Sequence, residues 1–166
     1  MNMRNLIGLF FCVLLAGCGW HLRGNDSAAT NIKTLNIASA QTYGKLERAL
    51  RAEMRAQHIE DGGADGLTLT ILNQDLRQNL LAYNDSINAA MFEIELTTRF
   101  TVTNAAGETI IPPNMERVVR PYEPNSDRAL ATDREANLMK EDAYREMAVN
   151  LLRRINFIAG KKEHID

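Results

Sequence analysis

Few residues in this chain have the types and spacings that carry chemistry. Cys18 is the first. Its thiol closes the run Leu15-Ala16-Gly17-Cys18, directly after an apolar stretch, where small residues mark a secretory cleavage site. The three histidines, His21, His58 and His164, have no His, Cys or carboxylate at ligand spacing such as HExxH. GxSxG, P-loop and GxGxxG patterns are absent. The acidic pair Glu60-Asp61 runs straight into Gly62-Gly63 and reads as a turn rather than as an acid–base pair. No catalytic residue and no metal site is therefore expected. With 19 basic and 21 acidic residues the net charge is −2, which gives no support to a nucleic-acid partner.

The residues before Cys18 decide its chemistry. Arg4 supplies a short positive segment, and residues 6–15 are apolar apart from Gly8. That run is too short to span a bilayer, which takes about 20 residues, and it has the order of a signal peptide over residues 1–17. Leu-Ala-Gly-Cys resembles the lipobox of bacterial lipoproteins. The resemblance implies cleavage before Cys18, a diacylglycerol in thioether linkage to its sulfur, and acylation of the new amine, with no other cofactor. Several acyl chains give stable anchoring where one does not, so the expectation is a domain anchored to a membrane without spanning it. Gly19 follows the cysteine where, by resemblance to enterobacterial lipoproteins, Asp would favour retention in the inner membrane. The expected location is the inner leaflet of the outer membrane. Removing 17 of 166 residues leaves 149, enough for one domain with a real core. Cys12 leaves with the signal and Cys18 is capped, so no disulfide is available.

The elements that position everything else follow from periodicity. Residues 18–31 read as a tether, turn-rich towards its end. Residues 32–38 read as a strand with Leu35 and Ile37 on one face. Residues 43–57 have helical spacing: Leu46, Ala49, Leu50 and Met54 form an apolar stripe, and Lys45, Glu47, Arg48, Arg51 and Arg55 form a solvated face. Asp61–Gly66 breaks the chain. Leu67, Leu69 and Ile71 then alternate with Thr68 and Thr70, in a strand that continues through a polar stretch to about residue 81. Tyr83-Asn84-Asp85-Ser86 is a turn.

Residues 91–103 give the clearest strand. Phe92, Ile94, Leu96, Thr98, Phe100 and Val102 lie on one side and polar residues on the other, which predicts a sheet with one wet face. Asn104–Gly107 is a hairpin turn. Residues 108–122 return as an interrupted or edge strand, because Pro112 and Pro113 cannot donate to a ladder. Residues 123–134 are a loop or helical lead-in, with Asp127 or Asp133 as a cap. A long helix then runs to about residue 158 with Tyr144, Met147, Ala148, Leu151, Leu152, Ile155 and Ile158 on its apolar face. Residues 161–166 form a charged tail.

The fold class is therefore α+β: a two-layer α/β sandwich over residues 32–160, in the order β-α-β-β-β-α. Two helices pack on one face of a four-stranded, mostly antiparallel mixed sheet. The first strand reaches the second through a helical crossover, so that pair is expected to be parallel.

Cys18-Gly19-Trp20-His21-Leu22-Arg23-Gly24 is distinctive. A lipidated Cys followed by GWHLRG resembles the mature N-terminus of the LptE family of LPS-assembly lipoproteins, and the element order resembles that family over the whole mature domain. The resemblance implies a non-enzymatic plug in the lumen of the LptD β-barrel, which helps that barrel fold and helps insert lipopolysaccharide into the outer leaflet. Trp20 and Leu22, beside the anchor, are then candidates for contact with the bilayer interface or the barrel wall, although Trp20 packing on its own domain is the plainer alternative. Lipopolysaccharide is polyanionic and its phosphates suit Arg. The candidates are Arg77, Arg120, Arg128 and Arg134. The family places basic residues near the hairpin tip and before the last helix; here the tip, Ala82-Tyr83-Asn84-Asp85, has none. A stand-alone lipoprotein that carries or chaperones lipid is the alternative, and it would need an apolar cavity for acyl chains. A lipid-anchored hydrolase would need a clustered nucleophile and base.

Overall fold

The computed structural model describes residues 32–39, 44–83, 90–123 and 129–162. Its elements are β1 (Thr34–Ser39), α1 (Gly44–Ala56), β2 (Glu60–Asp61), β3 (Leu67–Tyr83), β4 (Ala90–Thr103), β5 (Thr109–Tyr122) and α2 (Ala129–Lys162). They form one mixed sheet in the order β2-β1-β3-β4-β5. β1 is parallel to β3, as the helical crossover requires, and β3-β4-β5 are antiparallel hairpin partners. The expected sandwich is present, with one more strand than the sequence suggested. Glu60 and Asp61, read as part of a turn, pair in parallel with Thr34 and Leu35 at the sheet edge. Two residues are too few for alternation to register in a sequence.

Both helices lie on one face and close the core. From α1 come Leu46, Leu50 and Met54; from α2 come Ala143, Met147, Ala148, Leu151, Leu152 and Ile155, all buried against Leu35, Leu69, Ile71, Ile94, Leu96, Phe100 and Val102 of the sheet. The end of α1 is fixed locally. His58 takes a left-handed φ of 58°, its amide donates to Arg55 O at 3.3 Å, and the amide of buried Ile59 donates to Met54 O at 2.8 Å. This is a Schellman closure with a histidine in the place glycine usually takes.

The strand parity read along β4 holds throughout, but two partners change phase. Leu72 is an extra residue in β3, so Leu69 and Ile71 face the helices and so do Gln74, Leu76 and Gln78 after it. In β5 one shift falls at Pro112 and Pro113: Ile111 pairs with Val102 and Asn114 with Phe100, leaving two prolines opposite Thr101, and a second falls at Ile110, between the Val102–Ile111 and Thr103–Thr109 pairs. The first bulge accommodates residues with no amide hydrogen, and Thr101 Oγ1 donates to Ile111 O at 2.8 Å across it. β5 is a sheet edge, as the prolines require. Gly107, with φ 81°, closes the β4–β5 turn.

Helix α2 begins at Ala129, inside the stretch expected to be a lead-in, so Asp133 lies within the helix and does not cap it. An N-cap residue must sit outside the helical dihedrals. Lys161 and Lys162, assigned to the tail by sequence, continue the helix. Asp127, the 84–86 part of the predicted turn and residues 163–166 lie outside the described residues.

Candidate interaction surfaces

The face of the sheet away from the helices is a wide, mostly polar surface built by β3, β4 and β5. Its cross-strand rows follow from the register: Asn73–Arg99–Met115, Asp75–Thr97–Arg117, Arg77–Glu95–Val119 and Asn79–Glu93–Pro121. Three arginines, Arg77, Arg99 and Arg117, therefore share it with three carboxylates, Asp75, Glu93 and Glu95. They pair locally. Arg117 Nη2 donates to Glu95 Oε2 at 2.9 Å, Arg77 lies 2.6 Å from Asp75, and Asn79 donates to Glu93 at 3.1 Å. The Arg117 hydrogen bond and charge hold the Glu95 carboxyl below its ordinary range, and Glu95 in turn raises the Arg117 guanidinium. Exposed pairs of this kind contribute little stability. The wide face is left charged but balanced, three cations against three anions.

The helix-covered face is polar towards the β3–β4 end. Gln78 Nε2 donates to Tyr122 OH at 2.6 Å, and Gln74 Nε2 to Tyr144 OH at 3.2 Å. Burial raises both tyrosine pKa values, and the two glutamine hydrogen bonds partly oppose the shift. Thr98, directly opposite Gln74 in the ladder, is completely buried, and neither Thr98 Oγ1 nor Gln74 Oε1 has a hydrogen-bond partner. Between the helices an open groove of about 440 Å³ is lined by Lys45, Arg48, Ala49, Glu53, Glu141 and Arg145, among others. Charges of both signs line it, which does not suit an acyl chain.

The arginines singled out by sequence do not converge. Arg77 is on the open face, paired with Asp75. Arg120 is on the opposite face, where it pairs with Glu146 and clasps β5 to α2. Arg134 is exposed on α2 and has no ion pair among the described residues. Arg128, and with it Cys18, Trp20 and Leu22, lie outside the described residues. Arg99 and Arg117 were missed. The alternation that placed Phe100 inward puts both of them outward once β5 is registered on β4. No group of His, Cys, Asp and Glu able to hold a metal occurs among the described residues, and no described helix is long and apolar enough to cross a membrane.

Comparison with known proteins places this architecture. The solved structure of rare lipoprotein B from Shewanella oneidensis superposes with a TM-score of 0.66 over 79% of this chain and 99% of its own, at 23% identity. A minor lipoprotein from Acinetobacter baumannii superposes with a TM-score of 0.64 over 79% and 93%, at 17% identity. Both share the fold. In sequence, the chain is similar to the LPS-assembly lipoprotein LptE of Photorhabdus laumondii, 30% identical over 153 residues that make up 90% of this chain and 82% of the relative. The LptE of Pectobacterium atrosepticum is 28% identical over 91% of this chain and 83% of its own. The profile of the family described as LptE, lipopolysaccharide-assembly, matches residues 32–155, from the first buried residue of the core to the last buried isoleucine of α2. The sheet, both helices and the sequence that builds them thus have one source: the chain belongs to the LptE lipopolysaccharide-assembly family.

Proposed function

We propose that this protein is the plug and assembly partner of an LptD β-barrel, held at the inner leaflet of the outer membrane by acyl chains on Cys18, and that it assists insertion of lipopolysaccharide into the outer leaflet. The observation that carries the reading is the open sheet face. Its strands are 14 to 17 residues long, about 45–55 Å at the usual rise. Its outward rows are mostly polar, and its three arginines are balanced by three carboxylates. The interior of an outer-membrane barrel is polar, and a mostly polar face of balanced charge suits it. The relatives' name, LPS-assembly lipoprotein, supports the same reading.

The role is structural and binding rather than catalytic. The core is filled by large side chains such as Phe100, Leu96, Met147 and Leu151, which favours a packed plug over a carrier with a lipid cavity. Trp20 and Leu22, next to the anchor, suit the bilayer interface or the barrel wall. Arg134, which forms no ion pair among the described residues although Asp133 and Glu135 flank it in the chain, is better placed than the paired Arg77 and Arg120 to meet a lipopolysaccharide phosphate. The test is a mild-detergent pull-down of the tagged full-length protein from outer membranes, with partners identified by mass spectrometry. A near-stoichiometric LptD-like barrel is the expected result. An intact, correctly localised lipoprotein without that barrel would overturn the plug.

A further inference from the structure

Phe157 is 73% exposed, the most exposed large hydrophobic side chain among the described residues. A single exposed aromatic needs no explanation, but its surroundings are unusual. Arg153 and Lys161 lie one turn to either side, at i−4 and i+4, and both are exposed. Residues 147–162 of α2 contain Arg153, Arg154, Lys161 and Lys162 and no acidic residue. Cations in the last turn of a helix are favoured by its dipole, which accounts for Lys161. It does not account for Arg153, more than two turns from the end, or for an aromatic ring between them facing water.

The register fixes which end of the domain this is. Arg120 of β5 meets Glu146 of α2, and Glu116 meets Arg154. Those steps cover about 13 Å of strand and about 12 Å of helix, so the two elements run antiparallel at matched pace. Continued, this brings Phe157 and Lys161 to the level of Asn114 and Ile111. These pair with Phe100 and Val102, and so lie at the end of the sheet where Leu35 of β1 meets Leu67. That is the end at which the chain from Cys18 enters the fold, through buried Ile32. Residues 18–31 reach about 50 Å at most.

We propose that the outer face of α2 around Phe157, Arg153 and Lys161 is a membrane-surface patch for anionic glycerophospholipid headgroups, in the leaflet that holds the acyl chains of Cys18. An aromatic set between cations on a helix is the chemistry that seats at such an interface, with the ring at headgroup depth and the cations on phosphates. The proposal rests on the lipid anchor of the preceding reading. The anchor supplies local concentration, and the patch sets how the tether end of the domain meets the membrane surface.

The test uses the full lipidated protein with Trp20→Phe and Phe157→Trp, which leaves one tryptophan, at the patch. It is reconstituted into vesicles of brominated phosphatidylcholine, with or without about one third phosphatidylglycerol. Vesicle flotation reads the anchor, and tryptophan quenching reads the patch. The expected result is flotation with both lipids, and at least about twofold stronger quenching with phosphatidylglycerol, abolished by Arg153→Glu with Lys161→Glu. Flotation with a tryptophan that stays unquenched in both vesicles overturns the patch and leaves the anchor standing. Equal quenching in neutral vesicles overturns the headgroup recognition. A protein that does not float overturns the anchor, and the patch with it.

Discussion

Arg154 Nη1 donates to Glu116 Oε2 at 2.9 Å while its guanidinium lies 5.9 Å from the centre of the Phe100 ring. One side chain of α2 thus ties the edge strand β5 and the central strand β4 to the helix layer. The ion pair is only partly screened, with 37% of the Arg154 side chain and 22% of the Glu116 side chain exposed. The pair is worth about 0–1 kcal/mol and the cation–π contact about 0.5–1 kcal/mol. Arg154→Ala should therefore destabilise the domain by about 1–1.5 kcal/mol, and Glu116→Gln by less than half of that. Urea denaturation of both variants checks this; equal losses would mean that the ring contact contributes nothing.

Leu151 and Phe157 lie on different sides of α2, one fully buried and the other mostly in water. Leu151→Ala should cost about 2–5 kcal/mol. Phe157→Ala should stay within about 0.5 kcal/mol, because it removes no core contact. The comparison is made from denaturant midpoints, and a large loss at Phe157 would mean that its ring packs on the domain.

The contrast also shows what periodicity reveals. Leu151 was legible because seven apolar positions of α2 recur at helical spacing, and the β4 side chains because a period of two persists without a break. Phe157 falls outside that spacing, but how far it stands in water depends on which side meets the sheet. The prolines signalled an interruption of β5, but the phase change at Leu72 was hidden, since a bulge is defined by the partner strand. So was the pairing of Arg120 with Glu146, residues from elements whose relative height only the register sets.

Thr98 tests the buried polar row. Its hydroxyl is fully buried and unpartnered, as is Gln74 Oε1 opposite. A buried hydroxyl that makes no hydrogen bond costs about 1–3 kcal/mol, and valine has nearly the same shape. Thr98→Val should leave stability unchanged or raise it by about 1 kcal/mol. Thermal melting of the variant checks this, and a drop of similar size would show that the hydroxyl is paired with Gln74 in solution.

Two titrations bear on stability from opposite ends of the pH scale. Glu95 has its folded-state pKa lowered, mainly by the Arg117 hydrogen bond, from an ordinary 4.5. Its contribution is therefore complete above that value and is lost as pH falls through the folded-state pKa. Tyr144 is shifted upward from 10.0, chiefly by burial. Its contribution is complete below pH 10 and is lost as pH rises through the folded value. Arg117→Ala should flatten the acid limb of the stability profile and Tyr144→Phe the alkaline limb. Denaturant midpoints measured across pH would show this, and an unchanged limb in either variant would remove that group as its cause.

The last prediction concerns the arginines and rests on pairing rather than on count. Arg120 is engaged by Glu146 and Arg77 by Asp75, while Arg134 has no carboxylate partner among the described residues. A phosphate competing for Arg120 must first separate it from Glu146, and the carboxylate left behind would repel the same phosphate. Arg134 has no such pair to break, although Asp133 and Glu135 flank it in the chain. If the domain meets lipopolysaccharide through these residues, Arg134→Glu should weaken binding by at least about tenfold, the equivalent of 1.4 kcal/mol. Arg120→Gln and Arg77→Gln should weaken it by less than about threefold. Binding of the purified lipoprotein to immobilised lipopolysaccharide at two salt concentrations decides between them, because a phosphate contact weakens as salt rises. A loss confined to Arg120→Gln would reverse the ranking and would mean that the Glu146 pair opens on binding.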